Sequence, residues 1–296
     1  MPLYRLFFIF LLIRFPLYAL FDPHPDNKIE GRLCTVSICC VFQNEAEWLR
    51  EWIEFHRLVG VDHFYLYNNV STDNYLEVLA PYLADGTVEL FDFPARPLRT
   101  EHQKEIYDHA VSLSKGYSEW LAIIDTDEFI VPLETKSLIT YLRSIPEDIG
   151  GIEVYWQAFG TSGVQSLQPG ELLIEKLILK APLNDEINRQ WFKSIVRPHR
   201  VTWCISAHSC LYQPGFTGMR IQSDNYIRIH HYMVRTEDFF YRVKLPRIQK
   251  WDANFFHLHS IEHYLTLMNS IPDLSMQQFV PALKRILYPS IPPDSY

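Results

Sequence analysis

The sequence predicts an α/β fold, with a mostly parallel central sheet in its front half and a mixed α+β second half. Between residues 33 and 124, short apolar runs alternate with longer helical stretches. Strands joined through helices pair in parallel with right-handed crossovers. After Pro132 the alternation gives way to strands separated by polar loops, with helices returning only towards the end. Composition agrees: 48% hydrophobic and 21% charged residues among 296 describe a globular chain with ample core.

The amino terminus stands apart from this pattern. Residues 3–21 carry Arg5, an apolar run over residues 6–13, then Arg14 and Pro16. The run is too short and too interrupted for a membrane span. It reads as a secretory signal peptide with cleavage after Ala19, although Leu17 is not a small residue there. An uncleaved signal anchor is the alternative. Either way the chain is expected to be exported or membrane-anchored, touching membrane only through this segment. Residues 22–32, rich in proline and charge, read as a linker.

The body starts with a continuous apolar run over residues 33–42, suited to a strand buried on both faces. Asn44 stands where a helix cap belongs, with Glu47 three residues on as in a capping box. The helix that follows presents Leu49, Trp52, Ile53, His56 and Val59 at helical spacing and stops at Gly60. His56 therefore reads as a satisfied core histidine. Residues 61–67 form a second strand, 72–84 a helix stopped by Asp85-Gly86, 87–93 a third strand, 100–115 a helix and 120–124 a fourth strand. In the second half, residues 137–144 read as a helix; 151–156, 172–179, 192–196 and 226–231 as strands; and 236–250 as a helix. The organisation is thus a main domain over residues 33–251, with halves 33–132 and 133–251, and a helical extension over 252–296.

The fourth strand runs into Asp125-Thr126-Asp127, after which the apolar residues resume. Alternation along an extended segment would place both aspartates on one face. Two carboxylates at a buried strand end can hold a hard divalent cation; they can also simply solvate that end. Position favours the first reading, because ligands of parallel sheets lie beyond the carboxyl ends of the strands. Asn44, Glu45, Asn68, Asn69 and Asp125 all fall there. A net charge of −8 argues against a nucleic-acid partner. Aromatics at 15% suit a sugar-stacking surface as well as a large aromatic core. The five cysteines form no C-x-x-C pair, which argues against a zinc module, and Cys204 and Cys210 can pair in an oxidising compartment.

Five blocks in order give the sequence a resemblance. They are Asn44-Glu45-Ala46 with the Glu51-Trp52-Ile53-Glu54-Phe55-His56 helix, the stretch from Gly60 through Asn68-Asn69, Asp125-Thr126-Asp127-Glu128-Phe129, the block around Lys193 to Pro198 with His208, and His230-His231-Tyr232 followed by Arg235-Thr236-Glu237-Asp238-Phe239. Together they resemble glycosyltransferase family 92 and its relatives in the glycosyltransferase-2-like group, over roughly residues 34–247. The resemblance implies a GT-A nucleotide-binding fold whose D-x-D carries Mn2+ or Mg2+ on the diphosphate of a donor. It also implies transfer of a hexose, typically galactose from UDP-galactose, to a glycan or other hydroxyl acceptor with inversion. Eukaryotic members place a signal anchor and stem in the secretory pathway; the short linker here fits a bacterial envelope protein equally.

On that basis Asp125 and Asp127 are metal ligands, with His231 as the third and His208 as second choice. Arg235 and Lys244, with Arg242, are candidates for a phosphate clamp. Asn44, Glu45, Asn68 and Asn69 are candidates to contact base and ribose, with helix capping and a tight turn as the plain alternatives. The general base is unassigned; Glu153 and Asp224 are weak candidates, with Asp185 and Glu186 beside them. The loop from Phe159 to Gly163 is a candidate wall of the sugar pocket. Two rivals remain: a non-catalytic glycan-binding protein on the same fold, and a D-x-D phosphatase, which expects Thr or Val where this chain has Phe129.

Overall fold

The computed structural model describes residues 21–27, 33–93, 100–183, 185–188, 191–206, 208–221, 226–251 and 260–290. The expected alternation is present in the front half. After the short β1 (Asp22–Pro23) come β2 (Cys34–Phe42), α1 (Ala46–Leu58), β3 (His63–Asn68), α2 (Tyr75–Ala84), β4 (Val88–Asp92), α3 (Thr100–Ser114) and β5 (Ser118–Ile123). Every residue of β3 is buried, as a strand covered on both faces requires. Strands β5, β2, β3 and β4 lie side by side in parallel, with Cys39 opposite both Ile123 and Tyr65, and Asn68 opposite Asp92. Their carboxyl ends therefore share one edge.

His56 is the core residue its position predicted. It is 0% exposed. Its Nδ1 donates to the carbonyl of Trp52 (2.8 Å) and its Nε2 accepts from the N–H of Ile130 (3.1 Å). Burial lowers its pKa to about 3, so the ring stays neutral and makes both bonds. The expected cap at Asn44 is not formed. Asn44 adopts φ +54°, and its side-chain oxygen accepts from Thr72 (2.7 Å) instead. Asparagine tolerates the left-handed region, and here that conformation turns the chain from β2 into α1, with Glu45 occupying the cap position.

The second half contributes β6 (Glu128–Pro132), α4 (Leu138–Leu142), β7 (Ile149–Ala158), α5 (Leu173–Lys176), β8 (Leu179–Lys180), β9 (Phe192–Val196), β10 (Val201–Cys204), β11 (Cys210–Tyr212), β12 (Thr217–Ile221) and β13 (Ile227–His231). Then come α6 (Glu237–Phe239), a π-helical turn (Phe240–Lys244), α7 (Leu245–Trp251), α8 (Ile261–Met268), β14 (Ile271–Pro272) and α9 (Val280–Leu287). Residues 172–179, expected as a strand, start instead with the helical turn α5. The Glu51 carboxylate accepts the N–H groups of Leu173 and Ile174 (2.9 and 3.1 Å), satisfying donors that a helix start leaves open. Residues 252–259 lie outside the described residues.

Among the described residues the main sheet runs β1-β4-β3-β2-β5-β9-β7-β13-β6, with β12 added beside β7. It is parallel from β4 to β5 and mixed beyond, since β9 is antiparallel to both neighbours and β6 is antiparallel to β13. This order forces the sheet to curl. Strands β5 and β6 are four places apart in it, yet few residues join Ile123 to Glu128. Five Cα steps of about 3.8 Å, with a tight turn among them, do not cross four strand spacings of about 4.8 Å in a flat sheet. Curling brings the end of β13 round to the carboxyl end of β5.

Candidate functional site

The acidic triplet is a turn rather than an extended segment. The N–H of Glu128 donates to the carbonyl of Asp125 (3.1 Å), and the Glu128 carboxylate accepts the N–H of Asp125 (2.9 Å). Alternation therefore does not govern the two aspartates, and they take different partners. Asp125 Oδ2 accepts from Lys193 Nζ at 2.6 Å. Asp127 Oδ2 accepts from Lys244 Nζ at 2.8 Å, and its Oδ1 lies 3.4 Å from His231 Nε2. Lys193 also lies 3.4 Å from Glu128 Oε2.

The turn is fixed from the far half of the fold. His231 sits directly opposite Glu128 in the β13–β6 ladder, and the N–H of Tyr232 donates to the Asp127 carbonyl (2.8 Å). On the other side, the indole N–H of Trp52 donates to the Glu128 carbonyl (2.8 Å). The last carbonyl of the triplet and the one after it are thereby held by elements distant in sequence.

Charge is concentrated here under burial. Burial opposes ionisation of Asp127, but Lys244 and His231 beside it hold its carboxyl well below the usual carboxylate range. Glu128 moves the other way: burial pushes it up, the nearby Asp125 and Asp127 add to the rise, and Lys193 offsets only part. Lys193 has the opposite balance, since burial would lower its pKa while Asp125 and Glu128 raise it further. Its carboxylate neighbours thus favour the charged ammonium in spite of burial.

Asp127, Glu128 and His231 each offer one donor atom, and these atoms lie within 4.8 Å of one another. Glu128 Oε1 is buried and makes no hydrogen bond. Two carboxylates and an imidazole suit Mn2+ or Mg2+, and a cation would satisfy the orphaned oxygen, so the residues present fit a divalent ion. This grouping brings together Asp127 and His231 of the expected set. It adds Glu128 and leaves Asp125 with Lys193.

The other expected residues are spread around this centre. His208 Nδ1 donates to the Phe192 carbonyl (2.8 Å), and its ring packs on Trp156 and Trp191. Lys244 reaches Asp127 because the expected helix over residues 236–250 is interrupted by the π-turn that ends at Lys244. Arg235, at φ +49°, is buried between Trp48 and Phe239, with its guanidinium 4.8 and 4.7 Å from their ring centres. Its Nη1 contacts Glu45 Oε2 at 2.5 Å without hydrogen-bond alignment, and Nη2 donates to Thr126 Oγ1 (3.4 Å). Arg235 thus braces the triplet from behind, and Glu45 is shared between it and Arg247. Arg242 is exposed and pairs with Asp238.

Asn68 donates to Tyr75 and Asp92 and accepts from Ser71, closing the loop after β3. Asn69 joins β2 through its main chain, donating to Phe42 and accepting from Gln43. Glu153 accepts from Arg220 and Ser209, which ties up its carboxylate. Asp185 caps a local turn at Ile187. The side chains of Asp224 and Glu186 lie outside the described residues. Within the Phe159 to Gly163 loop, Ser162 is clamped by Asn269 (2.7 Å) and Phe159 packs on His230 and Tyr232. Sequence reasoning missed Lys193 and Glu128 as members of the centre. Both stand within the quoted blocks, but no spacing rule joins positions 125 and 193.

Comparisons with known proteins bear on this arrangement. A sequence profile described as Glycosyltransferase family 92 matches residues 33–268. A glycosyltransferase family 92 protein of Oryza sativa subsp. japonica is 30% identical over 144 residues, covering 48% of this chain and 24% of that protein. One of Ricinus communis is 25% identical over 244 residues, covering 78% and 40%. The chain therefore spans 24% and 40% of the length of these two relatives. Among solved structures, Staphylococcus aureus TarS 1-349 aligns with a TM-score of 0.42 at 12% identity, covering 84% of this chain and 83% of that one.

Proposed function

The chain belongs to glycosyltransferase family 92, and from that premise we propose that it is a metal-dependent hexosyltransferase of GT-A type. It moves a hexose, galactose foremost, from a UDP-linked donor to a hydroxyl of a glycan or glycoconjugate, with inversion. The observation that carries the reading is the gathering of Asp127, Glu128 and His231 at the carboxyl edge of the parallel strands, with Lys244 on Asp127.

In this reading Asp127, Glu128 and His231 hold Mn2+ or Mg2+, which when bound supplies Lewis-acid neutralisation of the departing diphosphate. The remaining work falls to the chain. Lys193 offsets the charge of Asp125 and Glu128, so a diphosphate meets a centre whose acidity is already compensated. Lys244 adds a second cation within reach of the same place. The β2, β3 and β4 ends, with Asn44, Glu45, Asn68 and Asn69, offer the floor for base and ribose. Arg235 acts as a brace rather than a clamp.

Calorimetry tests the reading. The full chain should bind UDP in the presence of Mn2+, Asp127→Ala should abolish that binding, and a panel of nucleotide sugars should show metal-dependent release of nucleotide. UDP binding by Asp127→Ala at wild-type strength overturns the site. Saccharide binding without release from any donor favours a non-catalytic glycan binder.

For location, no helix among the described residues is long and apolar enough to cross a membrane. We propose that residues 3–21 export or anchor the chain, in the secretory pathway or a bacterial envelope. Amino-terminal sequencing after expression checks this: a start near residue 20, or an intact Met1 in membranes, supports it, and an intact Met1 in soluble cytoplasm overturns it.

A further inference from the structure

Beyond the acidic centre, on the side away from β2, β3 and β4, lies a row of aromatic rings. His231 packs against Trp156 with ring centres 4.2 Å apart. Trp156 meets His208 at 5.7 Å and Trp191 at 6.3 Å, and Trp191 meets His208 at 4.9 Å. The row leads outward from Asp127 through His231 to Trp191, whose side belongs to solvent at 47% exposure. A tryptophan left in water is not unusual by itself. This one has a fixed backbone: its carbonyl accepts the N–H of Trp156 (3.2 Å), next to the Tyr155–Phe192 pairing of β7 with β9.

The row also has a polar edge of known sense. A carbonyl oxygen only accepts, so His208 must carry its proton on Nδ1, where it donates to Phe192. Nε2 is then a lone-pair acceptor. Burial, followed by the nearby charge of Lys193, lowers the pKa of His208, which keeps that lone pair free. An exposed indole beside an imidazole acceptor is complementary to one kind of ligand above others. A pyranose ring has an apolar C–H face and a rim of hydroxyl donors. Its C–H face suits the negative face of an indole, and its rim can donate to an imidazole nitrogen.

We propose that Trp191 and His208, backed by Trp156, form a saccharide subsite that seats a pyranose ring of the acceptor, with Trp191 under the ring and His208 Nε2 accepting from a hydroxyl. The proposal rests on the transferase reading for the word acceptor, but the saccharide subsite itself does not. Its side of the sheet supports the assignment. In the strand order, β9, β7 and β13 lie beyond β5, while the proposed nucleotide floor on β2, β3 and β4 lies before it. Asp127 follows the end of β5, so a ligand on the aromatic row approaches the centre from the other side of β5 than the nucleotide.

The test uses the full chain, with UDP and Mn2+ as one probe and free lactose, cellobiose and N,N′-diacetylchitobiose as the others. Saturation-transfer NMR and calorimetry are run on wild type, Trp191→Ala, Trp191→Phe and His208→Phe. Wild type should bind at least one disaccharide with transfer to its ring C–H protons. Trp191→Ala should weaken that binding by about tenfold, as truncation of a central aromatic anchor does, and Trp191→Phe should restore part of it. His208→Phe should weaken it with the stacking signal retained. UDP–Mn2+ affinity should stay unchanged in all three variants. Three results overturn the proposal: no disaccharide bound by wild type, unchanged disaccharide affinity in Trp191→Ala, or parallel loss of UDP affinity, which would give the row to the nucleotide base. Disaccharide binding that depends on Trp191 in a protein that binds no UDP keeps the subsite and removes the transferase reading.

Discussion

Replacing Lys193 by methionine asks how the acidic centre is held together. The ammonium has 1% of its side chain exposed and lies 2.6 Å from Asp125 and 3.4 Å from Glu128. The two contacts do not count equally. Asp125 has 39% of its side chain exposed, so water screens that pairing and its share is discounted. Glu128 has 0%, so it has no recourse to solvent. At an effective dielectric of about 20, opposite unit charges at such a separation attract by about 5 kcal/mol. Removing one partner of a buried pair costs about 3–5 kcal/mol. Methionine keeps the stem and deletes the charge, so Lys193→Met should lose about 3 kcal/mol at pH 7, the low end of that range because burial already favours protonation of Glu128. Urea unfolding followed by tryptophan fluorescence reads the loss as a shift in midpoint with an unchanged slope. Adding Glu128→Gln removes the stranded carboxylate and should recover about half of it, the coupling expected of residues in contact. A loss below about 1 kcal/mol, the scale of a surface pair, would refute the argument, as would a double variant no more stable than Lys193→Met alone.

Two further outcomes follow from buried groups elsewhere. Glu51 is raised to about 7 by burial, against which the N–H groups of Leu173 and Ile174 act; in an unfolded chain such a carboxyl titrates at about 4.3. The folded state therefore binds the proton more tightly, and the stability present below the unfolded value is lost as pH rises through the folded one. Glu51→Gln should flatten the fall in Tm between pH 5 and 8, and an unchanged fall would exclude Glu51 as its source. Cys204 and Cys210 face each other across β10 and β11 with sulfurs 2.9 Å apart. Oxidised glutathione should convert them to a disulfide, taking two from the five titratable thiols; five thiols persisting in denaturant after treatment would contradict the pairing.

The front half was legible because its signals are local. Burial on both faces makes a parallel strand a continuous apolar run, and the 3.6-residue period exposes α1 and the place of His56 within it. The carboxyl edge then follows from connectivity alone. Asn44 was misread because its local pattern fits two uses: a helix cap, and a left-handed corner closed by Thr72, twenty-eight positions away. Residues 172–179 were misread because their helical turn depends on Glu51, a partner no window of sequence contains. The centre shows the same limit. Asp127 and His231 were both named, yet Asp125 went to Lys193 and Glu128 entered, since a tight turn replaced the extended segment on which the pairing rested. Curling of the sheet decides which far strand meets the turn, and curling is a property of the whole strand order.

The π-turn at Phe240–Lys244 has a consequence for sequence length rather than sequence identity. A π-turn holds one residue more than the α-helical turn it interrupts. Deleting a single residue there would let the helix run on unbroken, with better backbone bonding. Because the surplus residue is absorbed within that one turn, everything after it would keep its phase about the helix axis, whereas a deletion within α7 would swing the residues after it by about 100°. Lys244, the last residue of the turn, would then keep its place beside Asp127, and Arg247 its reach to Glu45. The segment can therefore shorten by one residue inside the turn and keep its aim, a tolerance of length that α7 does not share.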